Sequence, residues 1–190
     1  MAERIQIGMP LDEFMVRFED QPFELIEGDI RNVTPAKKKH SKLSKRIYDR
    51  ILFYLVENEI GEVFFESTFI IEDKADWVSG SRIPDVSYYE MSRYEAHEKE
   101  NPDEESKPFI LVPDLVVEII SPTDKYTDIN SKVDTYLADG VKLIWIIDPQ
   151  RQTIAVYDGN DSANTLRVDD TLTGGTTLPN FEVALKEVFS

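Results

Sequence analysis

Two carboxylates stand where apolar side chains belong. The stretch Val112-Pro113-Asp114-Leu115-Val116-Val117-Glu118-Ile119-Ile120-Ser121 has the β-branched and large apolar residues of a strand covered on both faces, yet it holds Asp114 and Glu118. An ionised carboxylate in such a place is costly unless something neutralises it. Side chains alternate along a strand, so Asp114, Val116, Glu118 and Ile120 share a face, and at roughly 3.3 Å per residue the two acids lie about 13 Å apart, too far to hold one ion between them. They need separate explanations. Asp114, beside Pro113 at the strand entry, suits a turn or edge carboxylate that caps local N–H groups. Glu118 lies near the C-terminal edge, where open sheets often place ligands, although a salt-bridged core glutamate is the structural alternative. Ile83-Pro84-Asp85 offers a further acid at the head of another strand. If the two strands are neighbours, Asp85 and Glu118 converge on one divalent cation, with the Ile119 carbonyl as a further ligand. Hard oxygen donors of this kind suit Mg2+, with Mn2+ as the substitute, and such an ion would neutralise Glu118 inside the sheet. Oxygen ligands, a positioned water and a nearby cation are what metal-dependent phosphodiester hydrolysis needs.

Composition removes several other chemistries. The chain has no cysteine, which excludes disulfides, thiolate metal sites and cysteine nucleophiles. Its two histidines, His40 and His97, make a zinc hydrolase a poor fit. No apolar run reaches the length of a membrane span, and the charged start Met1-Ala2-Glu3-Arg4 lacks the apolar core of a signal peptide, so no membrane association and a cytoplasmic location are expected. The formal net charge of −16 is hostile to a polyanion, but the average hides an asymmetry. Residues 31–50 carry eight bases against the single acid Asp49, a local +7, whereas residues 90–106 hold seven acids and two bases. Lys38, His40, Lys42 and Lys45 lead the candidates for contact with nucleic acid. A solvated helix face is the plain alternative for the lysines, and a cap or surface residue for His40.

The elements that must position these residues follow from periodicity. A length of 190 residues suits one domain, 1–190, and no repeat interrupts it. Leu11, Phe14, Met15 and Phe18 predict a short helix, and Phe23–Val33 a hairpin turning at Glu27-Gly28-Asp29. Leu43, Ile47, Ile51, Leu52, Leu55 and Val56 recur at helical spacing, predicting one long helix from about His40 to Glu59. Residues 62–73 and 82–90 read as strands separated by a loop around Asp76 to Gly80, and residues 90–108 as a polar mobile loop. After the strand that holds Glu118 comes a helix with Thr127 or Asp128 as N-cap, a core face of Ile129, Val133, Tyr136 and Leu137, and Gly140 as its stop. Residues 141–159 read as two strands around Asp148-Pro149, and the tail ends in a short helix. Strand, helix and strand over 112–148 require a crossover in a mixed sheet, so the fold class is α/β or α+β with helices flanking a central mixed β-sheet.

In Phe23–Ile30, Ile83–Val86, Pro113–Asp124, the Asp128 and Lys132 pair followed by Tyr136, Gly140–Pro149 and Leu178–Phe189, the chain resembles the Uma-type restriction endonuclease family of the PD-(D/E)XK nuclease superfamily. Each motif alone is weak, but their order and spacing run through nearly the whole chain. The resemblance implies a restriction-endonuclease-like fold, a magnesium-dependent nuclease acting on DNA, and a homodimer. Asp85 and Glu118 match the two acids of the superfamily pattern. The lysine expected two residues beyond Glu118 is replaced by Ile120, and the resemblance moves its role to Lys132 in the following helix. An ordinary helix lysine paired with Asp128 is the alternative, and Lys125 is a second cation near Glu118 in sequence. Glu24 falls in a family-like position as a supporting acid, with a structural role equally open.

Two other classes compete with a nuclease. A catalytically silent binding or interaction module on the same scaffold fits the overall acidity and the missing lysine at position 120. A sugar hydrolase would use a carboxyl pair across an aromatic cleft, but nothing in the spacing of Tyr88, Tyr89 and Phe109 demands it.

Overall fold

The computed structural model describes residues 7–33, 35, 37–102, 107–121, 124–159 and 163–190. Along the chain run β1 (Met9–Pro10), α1 (Leu11–Asp20), β2 (Phe23–Ile26), β3 (Asp29–Asn32), α2 (Lys38–Asn58), β4 (Gly61–Phe65), β5 (Phe69–Lys74), β6 (Trp77–Arg82) and β7 (Val86–Glu90). There follow α3 (Met91–Glu100), β8 (Leu115–Ile119), α4 (Tyr126–Asp139), β9 (Leu143–Asp148), β10 (Thr153–Tyr157), β11 (Asn164–Leu166), β12 (Thr171–Gly174), β13 (Leu178–Ala184) and α5 (Leu185–Phe189).

The central sheet has the order β11-β10-β9-β8-β7-β4 and is mixed, because β8 and β9 run parallel while the other pairs are antiparallel. The parallel pair follows from α4, which carries the chain back so that Glu118 lies beside Ile146 and Ile119 beside Ile147. Strand alternation then sorts the core. Leu115, Val117, Ile119, Trp145 and Ile147 pack with Leu43, Ile47, Ile51 and Leu55 of α2 on one face. Val116, Ile144 and Ile146 pack with Val133 and Tyr136 of α4 on the other. Glu118 belongs by alternation to the α4 face. A second, antiparallel sheet, β1-β6-β2-β3 with β5 against β6, is covered by α1 through Leu11, Phe14, Phe23, Leu25 and Val78.

The hairpin at Glu27-Gly28 forms as expected, both residues having positive φ (52° and 90°), the geometry of a two-residue turn that glycine relieves. Gly140 ends α4 with φ 98°. Several expectations fail. The run 62–73 is broken at 66–68 into β4 and β5, where Glu66 has φ 48°, and 82–90 is interrupted at 83–85, where Pro84 has no N–H for a ladder. Residues 77–80, read as loop, lie in strand β6, since β6 joins β5 on one side to β1 and β2 on the other, a ladder that single-chain polarity does not reveal. Residues 91–100 are helix α3, not loop, because the Glu90 carboxylate caps the Ser92 and Arg93 N–H groups; residues 103–106 of that segment lie outside the described set. Helix α4 begins at Tyr126 after Lys125, ahead of both expected caps. Val56 is 69% exposed and takes no part in the buried stripe of α2.

Two ion clusters tie elements together. Asp114 accepts the Glu90 N–H (2.9 Å) and lies 2.7 Å from both Arg93 and Lys142, so it is more than a local cap: it anchors the start of α3 and the entry to β9. Arg82, 6% exposed at the end of β6, donates to the Leu25 carbonyl (2.7 Å) and spans both carboxylate oxygens of Asp139 at the end of α4, with Nε 3.0 Å from Oδ2 and Nη2 3.3 Å from Oδ1. This contact sets the second sheet against α4. Removing one partner leaves a buried charge alone. Arg82→Met is expected to cost about 3–5 kcal/mol in urea unfolding, and the Arg82→Met, Asp139→Leu double variant to recover most of it. Equal losses in the single and double variants would mean that the pair does not hold these parts together.

Candidate active site

The rim of the central sheet gathers the acids. Pro84 ends the run out of β6, and Asp85 sits immediately before β7, whose antiparallel register with β8 (Val86 beside Val117) brings Asp85 level with Glu118. Asp85 Oδ2 accepts the Ile119 N–H at 2.7 Å, a bond that ties β8 to the bend beyond the last paired residue of β7, Val86. In a strand the N–H and C=O of one residue point to the same side, so the Ile119 carbonyl also faces the Asp85 side. Glu24 arrives from β2, where alternation turns it away from Phe23 and Leu25, and its Oε1 accepts the Ile83 N–H at 3.1 Å.

Helices deliver the counter-charges from both faces. From α4, Lys132 Nζ lies 3.0 Å from Glu118 Oε2 and 3.9 Å from Glu24 Oε2. Four residues on, the Tyr136 hydroxyl donates to Glu118 Oε1 at 2.5 Å. From α2, His40 Nε2 lies 2.5 Å from Asp85 Oδ1. Lys132 therefore meets Glu118 and Glu24 in place of the alternative partner Asp128. His40 binds a site carboxylate, a role that the reading of it as a nucleic-acid contact did not include. Tyr136 was expected only to pack, but its i,i+4 spacing from Lys132 is the signal that it shares the lysine's face. Lys38, Lys42 and Lys45 are exposed, with Lys45 2.7 Å from Asp49, and Lys125 is exposed at the start of α4.

The electrostatics follow from crowding. Burial, then the charges of Asp85 and Glu24, push the Glu118 carboxyl up to about 7 against the pull of Lys132. Burial works against the charge of Lys132, but Glu118 and Glu24 outweigh it and hold its ammonium protonated. The hydrogen bond to Asp85 raises His40 above its usual value. Three carboxylates thus face one lysine and one histidine, and an additional cation fits the deficit. Among the described residues no group of three or more His, Cys, Asp or Glu side chains is arranged to hold a metal. The candidate donor set is accordingly the carboxylates of Asp85 and Glu118, the Ile119 carbonyl and water, which suits Mg2+, an ion that commonly keeps several waters beside one or two protein carboxylates. A recess of about 30 Å³ lined by Glu118, Ile119, Ile120, Asp124, Ile129, Lys132 and Ile146 has room for a water next to the lysine. A larger groove of about 460 Å³, by Leu11, Met15 and Asp76, holds none of these acids.

Comparison with known proteins follows the same outline. A family model described as "Putative restriction endonuclease" (Uma2) matches residues 11–186. A crystal structure of "a putative nuclease belonging to DUF820" from Anabaena variabilis is similar, with a TM-score of 0.75 and 25% identity, covering 95% of this chain and 97% of that one. No curated protein matches.

Because Glu118 has a folded-state value near 7 against an ordinary 4.5, its contribution to stability is present below about 4.5 and is lost as the pH rises through about 7. In metal-free buffer above that pH, Glu118→Gln is expected to melt a few degrees higher than wild type, and Mn2+ to raise the melting temperature of wild type far more than that of the variant. Equal Mn2+ shifts in thermal melts of the two proteins would remove the ion from this site.

Proposed function

The chain belongs to the Uma2 family and has its restriction-endonuclease-like fold, and on that premise we propose that it is a metal-dependent endonuclease hydrolysing phosphodiester bonds of DNA. The observation that carries this reading is the Lys132 ammonium held 3.0 Å from Glu118, at the rim where Asp85 stands level with Glu118. Asp85 and Glu118 would hold Mg2+ or Mn2+ together with the Ile119 carbonyl. When bound, the ion supplies Lewis-acid polarisation of the phosphoryl oxygens and lowers the pKa of a coordinated water.

The side chains of the chain do the rest. Lys132, fixed on a helix whose Val133 and Tyr136 are buried in the core, orients a water in the adjoining recess and stabilises negative charge developing on the phosphate. Glu24 draws the ammonium toward the rim. Tyr136 holds one oxygen of Glu118 and so sets the direction in which the other lone pairs point. His40 holds Asp85 from the opposite face and limits its rotation. The basic residues of α2 offset the overall negative charge where a polyanion must approach. A homodimer remains part of the proposal, since cutting both strands of a duplex calls for two such sites.

Lys132→Ala is expected to abolish Mg2+-dependent cleavage of plasmid DNA while calorimetry still detects Mn2+ binding, and Lys125→Ala to have a small effect. Full activity of Lys132→Ala would defeat the assignment. A purified wild-type protein that binds Mn2+ but cuts neither DNA nor RNA would favour the silent module.

A further inference from the structure

The long helix α2 presents its lysines in two directions. At about 100° per residue, Lys38, Lys42 and Lys45 lie roughly 140–160° around the axis from His40, which points to Asp85. They project away from the carboxylates, on the solvent side opposite the buried Leu43 and Ile47. Lys39 differs. Its Nζ donates to the Pro149 carbonyl at 3.2 Å, which carries the side chain across the rim to the far end of β9.

That end is one strand beyond Glu118. The Ile120 N–H donates to the Ile147 carbonyl (2.8 Å), so Asp148 and Pro149 continue the same edge, and the order across it is Asp85, then Glu118 and Ile119, then Asp148 and Pro149. Two strand spacings separate its extremes, about 10 Å. The turn after β9 is built rather than loose: Asp148 Oδ1 accepts the N–H groups of both Gln150 (2.8 Å) and Arg151 (2.9 Å), and Gln152 closes it with φ 52°. The turn holds up Arg151, whose side chain is 84% exposed and whose Nε lies 3.8 Å from Asp148 Oδ2, a contact that screening in water leaves weak. An ammonium has three donors, and the Pro149 carbonyl uses one of those of Lys39.

Resting on the nuclease reading above, we infer that Lys39 and Arg151 form a phosphate clamp at the β9 end of the rim, holding a backbone phosphate next to the one attacked at Asp85 and Glu118. The clamp sets the register of the strand along the rim, and Lys38, Lys42 and Lys45 contribute only diffuse attraction. Charge complementarity supports it: the acids of the rim repel a polyanion, so a strand threaded past them needs cations at fixed points beside them. Lys39 and Arg151 act on the bound strand at a distance from the attacked phosphate, Lys39 held to the Pro149 carbonyl and Arg151 beside Asp148.

The test uses the full chain and a short fluorescein-labelled DNA duplex. Binding is followed by anisotropy over a range of salt in Ca2+, and cleavage is followed in Mg2+. The Lys39→Gln, Arg151→Gln variant is expected to flatten the salt dependence of binding by about two slope units, one per lost phosphate contact, and to bind roughly tenfold more weakly per side chain at low salt. Its cleavage is expected to show a raised KM with a smaller change in kcat. Lys38→Gln, Lys42→Gln, which removes as much charge from the same helix, is expected to change the slope less. Equal slopes in the two variants, or a larger effect of the second, would overturn the clamp while leaving the nuclease reading intact. If wild type binds the duplex but does not cut it, the nuclease reading fails, and the slopes alone decide whether the clamp grips nucleic acid. A wild type without salt-dependent binding overturns both.

Discussion

Three carboxylates from two sheets crowd at one rim, and burying them together demands compensating charge. Glu24 comes from β2, Glu118 from β8 and Asp85 from the bend before β7, and the charges of Asp85 and Glu24 add to burial in raising the cost of ionising Glu118. The arrangement persists because Lys132 from one face and His40 from the other supply positive charge at hydrogen-bonding distance. Neither helix alone would suffice. A sheet covered on one side would expose Glu118 to water and lose the burial that raises its carboxyl.

Asp114 shows by contrast what a purely structural carboxylate looks like. It lies four residues before Glu118, just ahead of β8, and its side chain is 1% exposed against 12%; Arg93 and Lys142 each lie 2.7 Å from one of its oxygens, and the Glu90 N–H fills a further lone pair. Its charge is matched twice over. Glu118 shares a single lysine with Glu24 and stands level with Asp85, so its charge is matched less fully than that of Asp114. The two carboxylates differ in local charge balance, Asp114 just before β8 and Glu118 within it.

Rigidity at the rim comes from remote contacts. Arg82 and Asp139 lock the second sheet, which carries Glu24, against the helix that carries Lys132, and the two therefore meet without a flexible linker between them. The long helix α2 begins at Lys38 with no acid in its first turn, contrary to what the helix dipole favours. Such a violation of a local preference is expected where function rather than stability selects the residues.

Periodicity and turn chemistry determined much of the architecture. The stripe of Leu43, Ile47, Ile51 and Leu55, the Glu27-Gly28 turn, the Gly140 stop and the apolar run around Glu118 each encode a local geometry that no distant residue can easily reverse. The resemblance in ordered motifs pointed to Asp85, Glu118, Lys132 and Glu24, and the tertiary structure brought all four to one rim. Strand β6 and helix α3 escaped the sequence because one is held by its sheet partners and the other by a cap from a preceding strand residue, which are pairwise facts rather than patterns of composition. The bond from His40 to Asp85, that from Tyr136 to Glu118 and the clamp between Arg82 and Asp139 were invisible for the same reason. A sequence records which side chains can ionise or donate, but which of them meet depends on strand register and helix rotation, and those are set by the packing of the whole core.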